Sequence, residues 1–434
     1  MFQTLKKAWQ SPDLRKKLLY TLLIIVIFRV GCVIPAPFLD ASVMAEWMKS
    51  NASDGNFLNY LDVLTGGALS KATLFSLSIT PYINASIIVQ LLTYALPPLE
   101  RLSKEGSEGQ KTINKITAFV SLFLAVFMAF AYYLTLKRAG AVRYTDGFEG
   151  VFAAFVIVAV FIAGSSLVIW FGNRVNENGI GNGVSIILLA GIIARGPSDV
   201  ITMIKLAIEE PNPYVFVVPL VIILFVAIIA FIVFMNNAER RIPIQYAKRV
   251  VGRKQYGGQN THIPVKVCMS GVMPIIFAMA FMSLPATLGL FFPPEKSEGF
   301  YYHFLKFFST QSISYAIIYF VLIIAFNYFY VSMQYNPIEI ANHLRQANGG
   351  IPGIRPGKPT ADFIQRVLSK ITLVGAFFLG IIAIFPIFFA KALPSLGNLS
   401  MGGTSVLIVV SVALETVRTL ESSMMMETHK GFLE

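Results

Sequence analysis

Cysteine and histidine are scarce in these 434 residues, and charge is thin: two Cys, four His, and only 13% Asp, Glu, Lys and Arg together. Cys32 and Cys268 stand alone in or beside apolar runs, which excludes a disulfide framework and any paired-cysteine metal site. They read as buried thiols. His262, His303, His343 and His429 all fall in hydrophilic segments, so no two imidazoles face each other inside an apolar run to hold a haem. A respiratory cytochrome is excluded. No GxxxxGK[ST], HExxH or GxSxG occurs, and no cofactor is expected. Carboxylates are missing from the middle of every long apolar run, Glu415 being the nearest approach, and this weakens an ion-coupled transporter, which ordinarily buries acidic groups at mid-depth.

What is abundant is apolar sequence: 55% of the chain, with a mean hydropathy of +0.66. Ten apolar runs cover residues 18–35, 74–96, 116–136, 151–171, 180–193, 214–235, 267–292, 313–335, 371–390 and 404–420. Most reach the roughly 20 residues a helix needs to cross about 30 Å of hydrocarbon. An all-α polytopic membrane protein with ten transmembrane helices is expected. Lys and Arg crowd into alternate connections, 24 against 10 on the opposite side, with Arg29 inside the first run. The positive-inside rule puts both termini and the two longest basic loops in the cytoplasm. The basic stretch before the first run suggests a signal peptide, but no A-x-A site follows and Ile34-Pro35-Ala36-Pro37 ends the run, so cleavage is not expected.

Five runs precede an outer segment at 194–213 and five follow it, the arithmetic of an inverted repeat. Residues 1–193 and 214–420 are the expected halves, 194–213 the outer hinge loop between them, and 421–434 a cytoplasmic tail. The second run carries Thr80, Asn84, Ser86 and Gln90 among Ile79, Ile83, Ile87 and Ile88, spaced to lie along helix faces. Hydrogen bonding between helices explains such residues without any further role. Pro81 suggests a kink or an interrupted helix. Residues 57–74 are amphipathic, too short to span, and broken by Gly66-Gly67. The pattern favours an interfacial helix, although the Gly hinge would also let the segment fold back among the spans.

Two loops are strongly basic. The first, 236–266, carries Arg240, Arg241, Lys248, Arg249, Arg253 and Lys254 on alternating Ile, Tyr and Val around a Gly-containing turn, the pattern of a projecting hairpin. The second, 336–370, holds Arg355 and Lys358 within GGIPGIRPGKPT, whose Pro and Gly density fixes a non-helical loop. Basic loops serve topology alone in many membrane proteins, but seven cations on one 31-residue loop also suit a docking surface.

The stretches PYINASIIVQLL (81–92), GIGNGVSIILLAGI (179–192), RRIPIQYAKR (240–249), THIPVKV (261–267), MPIIFA (273–278), NPIEIANHLRQANGGIPGIRPGKPT (336–360) and GGTSVLIVVSVALE (402–415) resemble the SecY family, channel subunits of the bacterial protein translocase. They occur in the family's order from the second run to the last. The resemblance implies two five-helix halves clasping an hourglass pore, a passive channel and no enzyme. It carries unfolded secretory polypeptides across the bacterial cytoplasmic membrane and releases transmembrane segments sideways into lipid. The implied pore ring is Ile79, Ile83, Leu188, Ile276 and Ile408, with Val184 adjacent. The implied lateral gate runs along Asn84, Ile87, Ile88 and Gln90 on one side and Ile276, Ala280 and Leu284 on the other. Residues 57–70, including Tyr60, Leu61, Leu64, Gly66 and Gly67, match the family's plug. The resemblance also implies SecE and SecG subunits, signal sequences, precursor chains and lipid as partners, with SecA or the ribosome on the basic residues named above. Phe38, Ser78, Asn178 and Leu188 depart from the family's usual Gly, Gly, Arg and Ile. The rival reading is an inverted-repeat secondary transporter for a small solute.

Overall fold

The chain is described by a computed structural model over residues 9–50, 61–62, 65–209, 211–246, 249–251, 254–256, 260–291, 299–309, 312–392 and 403–430. Helix α1 (Pro12–Gly31) opens with a proline, whose fixed φ suits a first turn that has no use for its N–H. It ends at Gly31, where any side chain would collide with the ring of Phe75. After α2 (Ala41–Ser50) come turns at 65–79, and then α3 (Thr80–Ala95). Of the two expectations at Pro81, a kink or an interrupted helix, the structure has the second: the run is broken by the turns at 65–79, and Pro81 lies in the first turn of α3, where it starts the helix instead of bending it. At Leu96 the backbone turns by 100° into α4 (Pro97–Lys104).

The long helices α5 (Ser107–Arg138), α6 (Gly147–Asn178), α7 (Gly183–Glu209) and α8 (Pro211–Asn237) follow. Residues 194–209 of the expected outer loop are therefore helical. The charges and Pro197 that mark a loop in the sequence do not stop backbone hydrogen bonding once the helix leaves hydrocarbon, and Met203 is buried beside Val218 and Val221.

Strands β1 (Glu239–Tyr246), β2 (Arg249–Val251), β3 (Lys254–Tyr256) and β4 (Asn260–Lys266) form the hairpin expected of the first basic loop. β1 and β4 run antiparallel from Glu239↔Lys266 to Gln245↔Asn260, with β2 paired to β3 between them. Helices α9 (Met273–Phe291), α10 (Phe300–Phe307), α11 (Ile313–Gln334) and α12 (Pro337–Gln346) lead to β5 (Gly349–Gly350). The short β5 pairs with the free edge of β1, Gln245↔Gly350 and Tyr246↔Gly349, so the two basic loops share one sheet of order β4-β1-β5. Helices α13 (Lys358–Ala392) and α14 (Gly403–Lys430) complete the chain, α14 extending well into the expected tail.

Among the described residues six helices are long and apolar enough to cross a membrane, or seven if α3 and α4 form one bent span. Each of the ten expected runs overlaps a helix, but α1, α9 and α14 are not among those that length and apolarity pick out as spans. Large apolar side chains face outward, among them Phe119, Phe155, Phe216 and Phe234. Such an exterior belongs in lipid, where helices satisfy every backbone polar group internally. Inside, one cluster joins Ala36, Met44, Leu69, Tyr132 and Phe161, and another joins Ile232, Ile275, Tyr319, Phe378 and Leu407. A buried polar knot fastens the second: Asn327 accepts a hydrogen bond from Ser270 Oγ and donates to the Thr372 carbonyl at 2.9 Å.

Candidate pore and gate

Between these clusters lies a cavity of about 40 Å³. Thr80, Ile83 and Asn84 of α3 line it, spaced 3 and 4 apart on one face. Ile276, Met279, Ala280 and Ser283 of α9 repeat that spacing opposite. Leu188 of α7, Ile408 of α14 and Leu61 close it. Four of the expected ring residues, Ile83, Leu188, Ile276 and Ile408, thus converge on one space. The other two do not line it: Ile79 is wholly buried in a cluster with Phe28, Phe75 and Ile187, and Val184 packs against the same cluster.

Of the expected gate residues, Asn84 and Ala280 meet across the cavity, and Asn84 Nδ2 also lies 4.0 Å from Met128 Sδ on α5. Ile87 is buried and Gln90 half-buried, whereas Ile88 is 40% and Leu284 56% exposed on the outer surface. Met279 and Ser283 were absent from the expected set. Their position three and seven residues beyond Ile276 was the available signal.

Among the described plug residues Leu61 reaches the cavity; Tyr60 and Leu64 lie outside the described residues. Gly66 and Gly67 have φ of 68° and 84°, the left-handed region that glycine enters without strain. Here the loop turns, and Gly66 approaches the Gly191 backbone so closely that a methyl would lie 2.7 Å from its carbonyl oxygen. Sequence reasoning missed Asp62, the sole carboxylate of this segment. It is buried, with Oδ2 2.6 Å from Arg195 Nη1 on α7.

Ser78 and Phe38, both standing where the family's usual residue is glycine, have φ of 46° and 62°. The departures therefore fall on left-handed backbone, where a side chain costs about 1–2 kcal/mol. Phe38 recovers packing through edge contacts with Tyr144 and Phe152 at 5.9 and 6.4 Å. Ser78 has no such compensation: its Oγ is buried without a partner among the described residues.

On the basic face, Arg240, Arg241, Arg355 and Lys358 are exposed, with Arg241 Nε 2.8 Å from Glu239. Ile242 and Ile244 alternate with them and bury against Leu344, Ile351 and Ile364. Thr360 Oγ1 donates to the Arg355 carbonyl at 2.8 Å and fixes that loop. Arg249 and Lys254 lie on β2 and β3, while Lys248 and Arg253 fall outside the described residues. Beside the β1–β5 junction runs a groove of about 580 Å³ bordered by Tyr246, Arg345 and Asn348.

The profile of the SecY family matches residues 73–417. The protein translocase subunit SecY of Mycobacterium tuberculosis is 38% identical over 447 aligned residues, covering all of both chains. That of Thermotoga maritima is 37% identical over 437, covering all of this chain and 98% of its own. Among solved structures, a protein-conducting channel superposes with a TM-score of 0.64 at 20% identity, covering 95% of this chain and 93% of the other. Sec61 in the canine ribosome-channel complex does so at 0.62 and 18%, with the same coverage, a likeness of fold. With the family profile across most of the sequence and relatives aligned from end to end, the chain belongs to the SecY family.

Proposed function

We propose that this chain is the protein-conducting channel of a bacterial translocase, passing unfolded polypeptides across the cytoplasmic membrane and releasing apolar segments sideways into lipid. The observation that carries the reading is the cavity where Ile83, Leu188, Ile276 and Ile408 meet Leu61. An apolar constriction offers ions no replacement for their hydration shell, yet its side chains can yield to a passing chain. α3 and α9 border that cavity with Asn84 and Ala280 and reach the outer surface with Ile88 and Leu284, which suits a seam that opens to lipid.

The remaining assignments extend this reading. The charge asymmetry supports ten crossings with both termini in the cytoplasm, and the five-plus-five arrangement supports two inverted halves. The sheet that unites the basic loops offers one rigid cationic face to SecA or the ribosome, while SecE would clamp the two halves, with SecG as a further subunit. The relatives are translocase subunits, and a passive channel needs no hydrolytic group of its own. The transporter alternative fits less well, because among the described residues no ionisable side chain lines the cavity. The test is reconstitution with the partner subunits into vesicles. ATP-dependent protection of a signal-bearing precursor from external protease is expected; vesicles that accumulate a small solute but never protect a precursor would overturn the channel reading.

A further inference from the structure

Leu61 and Asp62 are adjacent in the chain and have opposite destinations. Leu61 closes the apolar cavity, while Asp62 turns into the protein and forms the centre of its own loop. Its Oδ1 accepts from Ser70 N at 2.7 Å, and its carbonyl accepts from Gly67 N at 2.8 Å and Thr65 Oγ1 at 3.1 Å. Its Oδ2 is bound to Arg195, two helical turns beyond Leu188 on α7. One short stretch of α7 thus supplies a ring side chain and the counter-ion of the loop that covers the ring.

The far end of the loop is tied differently. Tyr132 Oη on α5 donates to the Leu69 carbonyl at 2.5 Å, and Ser76 Oγ donates to the Ala68 carbonyl at 3.1 Å. Gly66 and Gly67 lie between the two attachments. A second cation also reaches this place. A methyl on Gly66 would come within 2.5 Å of Arg29 Nη1, which is buried without a partner among the described residues. Arg195 is thus the cation paired with Asp62, while Arg29 lies against the Gly66 turn of the same loop.

Resting on the channel reading, we propose that Asp62 and Arg195 are the positioning residues that hold the plug shut, their ion pair acting as a latch that the glycine pair allows to swing free. Leu69 stays anchored to Tyr132 of α5, and Ala68 to Ser76, while Leu61 leaves the ring. The side chain of Asp62 is 5% exposed and that of Arg195 27%, so the pair is shielded from salt while seated. Once the loop moves toward water, hydration replaces the pair for both groups, which keeps opening reversible. Removing one partner alone leaves a buried, uncompensated charge and should favour the open seat more than removing both.

The test is resting ion conductance of the complete channel complex in planar bilayers, together with passage of a precursor whose signal sequence is defective. Arg195→Leu and Asp62→Asn should each raise resting conductance at least ten-fold and admit the defective precursor. Asp62→Asn/Arg195→Leu should leak less than Arg195→Leu, a coupling that independent sites would not show. In Arg195→Cys, a methanethiosulfonate bearing an ammonium group should reseal the pore, and a neutral methyl reagent should not. Single variants as tight as the parent, a double variant that leaks additively, or equal effects of the two reagents would overturn the latch. A parent complex that passes no precursor at all would instead overturn the channel reading.

Discussion

The ring of Tyr94, at the last turn of α3, meets Phe329 of α11 edge-on with centroids 5.5 Å apart. It joins the first half of the chain to the second beside the proposed gate. If α3 moves away from α9 and α11 on opening, this contact is lost. Aromatic pairs contribute about 0.5–1.5 kcal/mol beyond burial, so Phe329→Ala should favour the open gate by roughly two- to ten-fold. The measurement is membrane insertion of a weakly apolar test segment, which should become more efficient. Unchanged insertion would place the pair off the moving seam.

Asn84 and Ala280 share the cavity, whereas Leu284 lies half-exposed beyond it. Asn84→Cys/Ala280→Cys should therefore form a crosslink under mild oxidation, and faster than Asn84→Cys/Leu284→Cys. The crosslinked channel should stop precursor translocation almost completely. Translocation that continues at the parental rate through fully crosslinked protein would remove α3 and α9 from the route.

Ser78→Gly should stabilise the protein. The substitution removes left-handed strain of about 1–2 kcal/mol and an unpartnered hydroxyl, against an entropic cost of roughly 0.5–1 kcal/mol, leaving a gain on the order of 1 kcal/mol. Thermal unfolding in detergent should shift upward. Phe38→Gly should gain less, because it also loses the contacts with Tyr144 and Phe152.

Arg143 is bonded to Asp40 through Nη2 at 3.0 Å and Nε at 3.3 Å, linking the segment after α1 to the α5–α6 connection. Those hydrogen bonds, assisted by the guanidinium charge, hold the Asp40 carboxyl below its ordinary 3.8. A lowered carboxylate stabilises the fold at pH above its unfolded value, and the contribution fades as pH falls through the lowered one. The parent should thus exceed Arg143→Gln in stability above about pH 4 and converge with it in more acid solution. Both side chains are largely exposed, so the difference should be small and salt-sensitive. A gap that widens on acidification would contradict this account.

Arg355 is exposed, and its loop is held through its backbone carbonyl. Arg355→Glu should consequently leave the loop's shape and the amount of channel in the membrane unchanged. ATPase-driven export should fall at least ten-fold through like-sign repulsion at the docking face. Full export by the charge-reversed channel would mean that this loop does not receive the motor.

The pattern of the chain, by itself, determined the positions of the apolar helices and the hairpin of the first basic loop. Each follows from local pattern, because a helix or strand face is apolar or polar whatever covers it. Tertiary structure decided which face meets which. It withdrew Ile79 and Val184 from the cavity, extended α7 through the expected outer loop, and paired β5 with β1 across about one hundred residues of sequence. It also brought Asp62 to Arg195 over a separation of 133 residues. No periodicity encodes such a meeting. An ion pair of this kind depends on where two helices and a loop come to rest, and that position is set by the summed packing of the whole bundle.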